Sequence, residues 1–220
     1  MLIEPFPLIL AFLPLSAYLL LIGMIRLVAA PVVTTGGRDL GALAVGISGL
    51  VAIGPAELFF PGPAAASMGA YVWLVLLLFY ILAVSLVILS LPTRLVVYGM
   101  APQSLLEPLR EAAAVLDPAA TSDPRRPQVF LPTLGVRLRI DGNPLVETSQ
   151  IAAFEPNLPA VFWGQLLAAL RKQTQGKGPR FRTAGWGMIA LGLVLAIPPL
   201  LAAVSQPEAV VAGLQQWLWR

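Results

Sequence analysis

Residues Ala70 to Leu91 read AYVWLVLLLFYILAVSLVILSL, with no charge between Tyr71 and Pro92. A bilayer core of roughly 30 Å needs about 20 predominantly apolar residues in a helix, so this stretch predicts a spanning segment. Three further runs follow the same reading. Pro7 to Ile25 is broken only by Ser16 and closed by Arg26; Leu40 to Phe60 and Thr183 to Val204 complete the set. Pro14 predicts a kink in the first run. The second is Gly/Ala-rich from Leu40 to Ile53, interrupted at Gly54-Pro55 and stopped by Pro61-Gly62-Pro63. A kinked span is expected there, with a partly re-entrant segment as the alternative. Val28-Ala29-Ala30 resembles a signal-peptide cleavage site, but Met1–Phe6 carries no positive charge. The first run therefore reads as a retained anchor.

Composition agrees. Hydrophobic residues make up 58% of the 220 and charged residues 11%, against about 45–50% and about 25% in soluble domains. So few charges cannot clothe a water-soluble globule of this length. The chain has no histidine and no cysteine. Ser-His-Asp hydrolysis, His-ligated haem, His-based zinc sites, iron–sulfur clusters and disulfides are therefore excluded within it. What is left is a poor catalytic inventory, and no cofactor is expected.

Counting Lys and Arg by segment sets the expected orientation. The segment between the first two runs holds Arg26 and Arg38, and Pro61–Gly69 holds none. The long segment between runs three and four holds 11, and Arg220 alone follows the fourth. Thirteen against one puts both termini outside and residues 94–182 in the cytoplasm; a bacterial inner membrane is the expected location. The net charge of +3 then encodes orientation and does not argue for nucleic acid, for which neither a fold signature nor interleaved aromatics is present.

The 94–182 segment is long enough to fold. Leu95-Val96-Val97-Tyr98 reads as a strand. Ser104 and Glu107 have capping-box spacing, and Leu105, Leu109, Ala112 and Leu116 form one helical stripe. Gln128–Leu134 is a second strand, and Val136, Leu138 and Ile140 alternate with Arg137 and Arg139 in a third. Asp141-Gly142 signals a turn, with Asn143-Pro144 extending the loop. Gln150–Phe154 is a fourth strand, and Asn157 and Pro159 open a helix carrying Trp163, Leu166, Leu167 and Leu170 on one face. The order β-α-β-β-β-α predicts two helices on one face of a small, mainly antiparallel sheet. The expected fold is thus four transmembrane helices with an inserted cytoplasmic α+β domain. Its parts are 1–93, 94–182, 183–204 and a tail, 205–220, whose Trp217 and Trp219 suggest a short helix at the outer interface.

Few residues invite chemistry. Glu57 is the only carboxylate inside an apolar run, and such acids serve as proton or cation relays; the plainer reading puts it in water at the outer interface. Arg137 and Arg139 share a strand face near Arg125 and Arg126 and suit phosphate, anionic lipid or an acidic partner, or simply form a solvated face. Arg171, Lys172, Lys177, Arg180 and Arg182 lie next to the membrane, where positive-inside anchoring explains them. Ala42/Gly46 and Ala44/Ser48 meet the small-xxx-small pattern of close helix contacts, with the partner left open.

The leading expectation is a non-catalytic membrane subunit that anchors the cytoplasmic domain and stabilises a larger assembly. Its expected partners are the lipid bilayer and other membrane-protein subunits. The alternative is a small homo-oligomeric transporter or channel using the broken second run and Glu57. An enzyme acting on lipids through carboxylates and arginines comes last, because the acids show no spacing that demands convergence.

Overall fold

The computed structural model describes residues 5–27, 30–58, 60–123, 125–144, 147–156, 158–175 and 184–219. Each apolar run folds as a helix, the conformation that satisfies every backbone group without water. These are α1 (Pro5–Leu27), α2 (Gly36–Ile53), α5 (Tyr71–Ser90) and α8 (Ala184–Ser205). After a turn at Gly54, α2 resumes as the short α3 (Pro55–Leu58). Four helices among the described residues are long and apolar enough to cross a membrane, counting Gly36–Leu58 as one. Two shorter helices, α4 (Gly62–Met68) and α9 (Pro207–Leu218), accompany them. Pro14 lies inside α1, and Pro198 and Pro199 lie inside α8.

The chain divides into two compact units. The helical unit comprises Met1–Ile22, Gly41–Ser90 and Gly187–Arg220. Small residues set its contacts. A Cβ on Gly46 would meet Tyr18 at 2.7 Å, one on Gly49 would collide with the Leu10 carbonyl, and one on Gly192 would meet Leu20 at 3.0 Å. The small-residue face of α2 therefore packs on α1 of the same chain. On another side, the Tyr80 hydroxyl of α5 donates to the Ala44 carbonyl of α2 at 2.7 Å.

The second unit comprises Gly23–Leu40 and Leu91–Trp186 and contains a six-stranded, wholly antiparallel sheet of order β1-β2-β6-β5-β4-β3. The strands are β1 (Val32–Thr35), β2 (Arg94–Tyr98), β3 (Thr121–Asp123), β4 (Gln128–Leu131), β5 (Val136–Asn143) and β6 (Thr148–Ala153). Helices α6 (Pro102–Ala114) and α7 (Ala160–Thr174) share one face of it. The core joins Leu105, Leu109 and Ala112 of α6 and Trp163, Leu166 and Leu170 of α7 to Leu95, Val97, Leu138 and Ile151 of the sheet. Both predicted apolar stripes are thus buried, with Leu116 and Leu167 at the margin.

Several local expectations need correction. Ser104 does not cap α6; the N-cap lies three residues earlier, at Ala101, with no side-chain cap, because Pro102 already supplies a helical φ at the first position. Pro108 falls inside the helix. Asp141-Gly142 is not a turn: β5 continues through Asn143, and the chain reverses between Pro144 and Glu147. Gly142 sits in that strand because a Cβ would run into the Thr148 carbonyl. The expected strand Gln128–Leu134 stops at Leu131, where a turn with Gly135 at φ 66° leads into β5. The alternation reading also misses β1 and β3. Asn157, Thr183 and Val28-Ala29 lie outside the described residues.

Candidate functional site

The most unusual polar grouping lies in the second unit, on the sheet face opposite α6 and α7. Tyr98 pairs with Val32 on one side and Thr148 on the other, and this register collects residues from four distant parts of the chain. Arg26, in the last turn of α1, is only 8% exposed. One Nη donates to the Thr148 hydroxyl at 3.0 Å, and its guanidinium carbon lies 5.7 Å from the Tyr98 ring centroid. The Tyr98 hydroxyl in turn donates to the Asp39 carboxylate in the first turn of α2. The Arg26 Nε is buried without a hydrogen-bond partner among the described residues. A buried guanidinium is costly unless held by such contacts, so the group behaves as a clasp between the ends of α1 and α2 and the sheet.

Arg171 contributes to the same construction. From the last turn of α7, its Nε and Nη donate to the Val33 carbonyl at 3.2 and 3.0 Å. That carbonyl belongs to edge strand β1, so the arginine covers acceptors that an open edge would expose. Lys172 lies beside it on α7 and is exposed. Lys177, Arg180 and Arg182 lie outside the described residues.

The other arginines gather at the opposite end of the sheet. Arg137 and Arg139 project from β5 and are exposed, with guanidinium carbons 5.3 and 5.7 Å from the Phe154 ring centroid. Arg137 pairs with Glu155 at 3.5 Å and Arg139 with Asp141 at 3.0 Å. Arg125 is in the turn between β3 and β4, its N–H bonded to Asp123 at 2.9 Å, with Arg126 next to it. The structure thus keeps these four on solvated surface and engages two of them with acids and an aromatic ring.

Asp117 is buried but serves the loops. Its carboxylate accepts from the Thr133 N–H at 2.8 Å, the Thr133 hydroxyl at 2.9 Å and the Ala119 N–H at 3.0 Å. Burial alone raises a carboxyl pKa, but here the hydroxyl of Thr133 and the N–H groups of Ala119, Thr133 and Leu134 outweigh it. They hold Asp117 below its ordinary value.

In the helical unit, Glu57 is half-buried in α3. A cavity of about 510 Å³ lies between α2, α3 and α5, with Trp217 of α9 at one end; Glu57 is not part of its wall. Among the described residues no group of three or more acids, histidines or cysteines is placed to hold a metal.

Sequence reasoning missed Arg26, Asp39, Tyr98 and Thr148 as a group, because only the β1-β2-β6 register brings them together. A signal for β1 was present: Val32-Val33-Thr34-Thr35 is a run of four β-branched residues before Gly36-Gly37. Comparison with protein-family models, curated proteins and solved structures finds no match.

Proposed function

We propose that this protein is a non-catalytic membrane subunit that scaffolds a larger assembly. In this reading four helices cross a bacterial inner membrane, both termini lie outside, and the α+β domain stands in the cytoplasm. One observation carries it: the connection between α1 and α2 is itself a strand of the domain, with β1 paired along β2 from Val32↔Tyr98 to Thr35↔Leu95. Two connections sharing one sheet must lie on one side of any bilayer that α1, α2 and α5 cross. That side also carries the excess of Lys and Arg. With the α1–α2 connection built into the domain's own sheet and held there by the Arg26 and Arg171 contacts, the domain suits a scaffold better than a catalytic head.

The role is tested by purifying the tagged full chain from its native membrane in mild detergent and identifying what co-elutes. Foreign membrane subunits in fixed stoichiometry support the proposal. A homo-oligomer carrying only lipid overturns it and moves the weight to transport, where Glu57→Gln in reconstituted vesicles becomes the next measurement. Topology is tested separately, in a chain that lacks cysteine. Ala66→Cys should react with an impermeant reagent from outside and Ser122→Cys should not.

A further inference from the structure

One face of the sheet is filled by α6 and α7, against Leu95, Val97, Leu138 and Ile151. Side chains alternate along a strand and residues opposite one another share a face, so the register fixes what the other face carries. Tyr98, Thr148 and Asn143 form one row across β2, β6 and β5. Arg94, Ala152, Arg139 and Gln128 form a second that extends to β4. Phe154, Arg137 and Phe130 form a third, with the Phe154 N–H bonded to the Arg137 carbonyl.

This face is covered on one side and bare on the other. At β2, Val96 is 1% and Tyr98 8% exposed. Arg26 at the end of α1 and Asp39 at the start of α2 both reach Tyr98. The first residue of α2 is pressed on Arg94, whose side chain a Cβ on Gly36 would meet at 2.6 Å. At β4 and β5 the face is open: Arg137 and Arg139 are exposed, and Phe130 and Phe154 are 41% and 45% exposed. Strands lie about 4.8 Å apart, so this open half begins about 10 Å from β2. Both α1 and α2 are long and apolar enough to span a bilayer. The lipids around their ends at Arg26 and Asp39 therefore stand opposite it.

We propose that the open half of this face rests on the headgroup layer of an anionic bilayer, with Phe130 and Phe154 entering the interface and the arginines on lipid phosphates. Mixed basic and aromatic surfaces bind in this way, and guanidinium suits phosphate. Asp123, Asp141 and Glu155 on this half are outnumbered by Arg125, Arg126, Arg137 and Arg139. Arg125 and Arg126 have no ion pair among the described residues. The Arg137–Glu155 and Arg139–Asp141 pairs are exposed, and exposed pairs are weak, so phosphate can take either arginine from its acid. The helix ends favour lipid over an acidic protein, because the chain itself brings lipid to this face. The inference rests on α1 and α2 crossing a bilayer and not on the scaffold role, so either can fail alone.

The test uses the full chain, which lacks cysteine, in nanodiscs of phosphatidylcholine and phosphatidylglycerol with a fixed fraction of headgroup-nitroxide lipid. A fluorophore is attached at Thr121→Cys, opposite Phe130 on this face, or at Val115→Cys, exposed at the end of α6. The Thr121 probe should be quenched and the Val115 probe spared, with quenching that rises with the phosphatidylglycerol fraction. Arg125→Gln and Arg126→Gln should each lower the docked-to-undocked ratio about fivefold, the worth of one arginine at an anionic surface. Phe130→Ser with Phe154→Ser should lower it at every lipid composition. Equal quenching of the two probes overturns the inference, as does Thr121 quenching that ignores lipid charge and the arginine variants. Shielding of Thr121 that occurs in native membranes but not in nanodiscs assigns the face to a protein and overturns it too. A chain that fails to insert strikes the membrane reading itself, whereas an inserted chain with an unquenched Thr121 probe strikes this inference alone.

Discussion

The two units of this chain bury opposite kinds of residue. In the α+β domain the fully buried side chains are large: Leu95, Leu105, Leu109, Leu131, Leu138, Ile140, Ile151, Leu166 and Leu170. In the helical unit the buried positions are mostly small, among them Ala11, Ser16, Ala44, Ala65 and Ala196, while Leu78 is 66% and Leu89 83% exposed. The domain follows the hydrophobic effect, which rewards removing large apolar area from water. The helices follow the rule for hydrocarbon solvent, where a leucine gains little by turning inward and small residues let backbones approach. One chain thus carries two folding logics, and the boundary between them is legible in which residue sizes are inside.

The contrast can be attacked by substitution, with hydrogen exchange of individual peptides as readout so that the units are followed separately. The largest effect is expected in the domain core. Leu138→Ala should destabilise the sheet by about 2–5 kcal/mol and raise exchange in β4, β5 and β6. Next is Gly49→Ala, which pushes a methyl group into the Leu10 carbonyl. It should cost about 1–3 kcal/mol, seen as faster exchange in α1 and α2 with the sheet unchanged. A sheet that loosens as much as the helices would mean that the units are not energetically separate.

Asp117 gives a smaller, pH-dependent difference. Its folded carboxyl titrates below the unfolded value, so its stabilising effect is present above the unfolded pKa of about 3.9 and is lost as pH falls through the folded value. Protection of the 131–135 turn should hold at neutral pH and drop on acidification below about pH 4. In Asp117→Asn the acid-dependent step should shrink, and an unchanged step would assign it to another group. Helices α2 and α5 carry no carboxylate beyond Asp39 and should show little response.

The smallest expected effect is Leu82→Ala, within about 0.5 kcal/mol for the purified chain in detergent, although the same change at Leu138 is among the most damaging. If Leu82→Ala becomes costly in the native membrane, a partner covers that face of α5. The comparison is thereby sharpened into a map of the assembly surface.

Much of this was readable in advance, and the failures have common causes. The four helices, the stripes of α6 and α7 and the alternation in β5 follow from local periodicity, which depends on residues a few positions apart. The false cap at Ser104 and the false turn at Asp141-Gly142 came from short motifs. Pro102 and the pairing of β5 with β6 overrode them. Strand β1 was overlooked because four β-branched residues between two apolar helices look like a linker until β2 supplies their hydrogen bonds. Of the candidate residues, the structure places Arg137 and Arg139 on a solvated face and gives Arg171 a partner in Val33. Neither the Arg26 clasp nor the cavity beside α5 is visible in the sequence.

By itself, then, the sequence determined the class of solvent each segment suits, because hydropathy and periodicity are properties of contiguous residues. It also determined which chemistries are absent from the chain, because histidine and cysteine are absent. Only the tertiary structure decided that the first connection belongs to the domain's sheet, that Arg26 is buried against Tyr98 and Thr148, and that α2 turns its glycines to α1 while leaving a cavity beside α5. Each of these depends on contacts between residues tens of positions apart, and strand register and helix packing choose such contacts among many alternatives of the same composition.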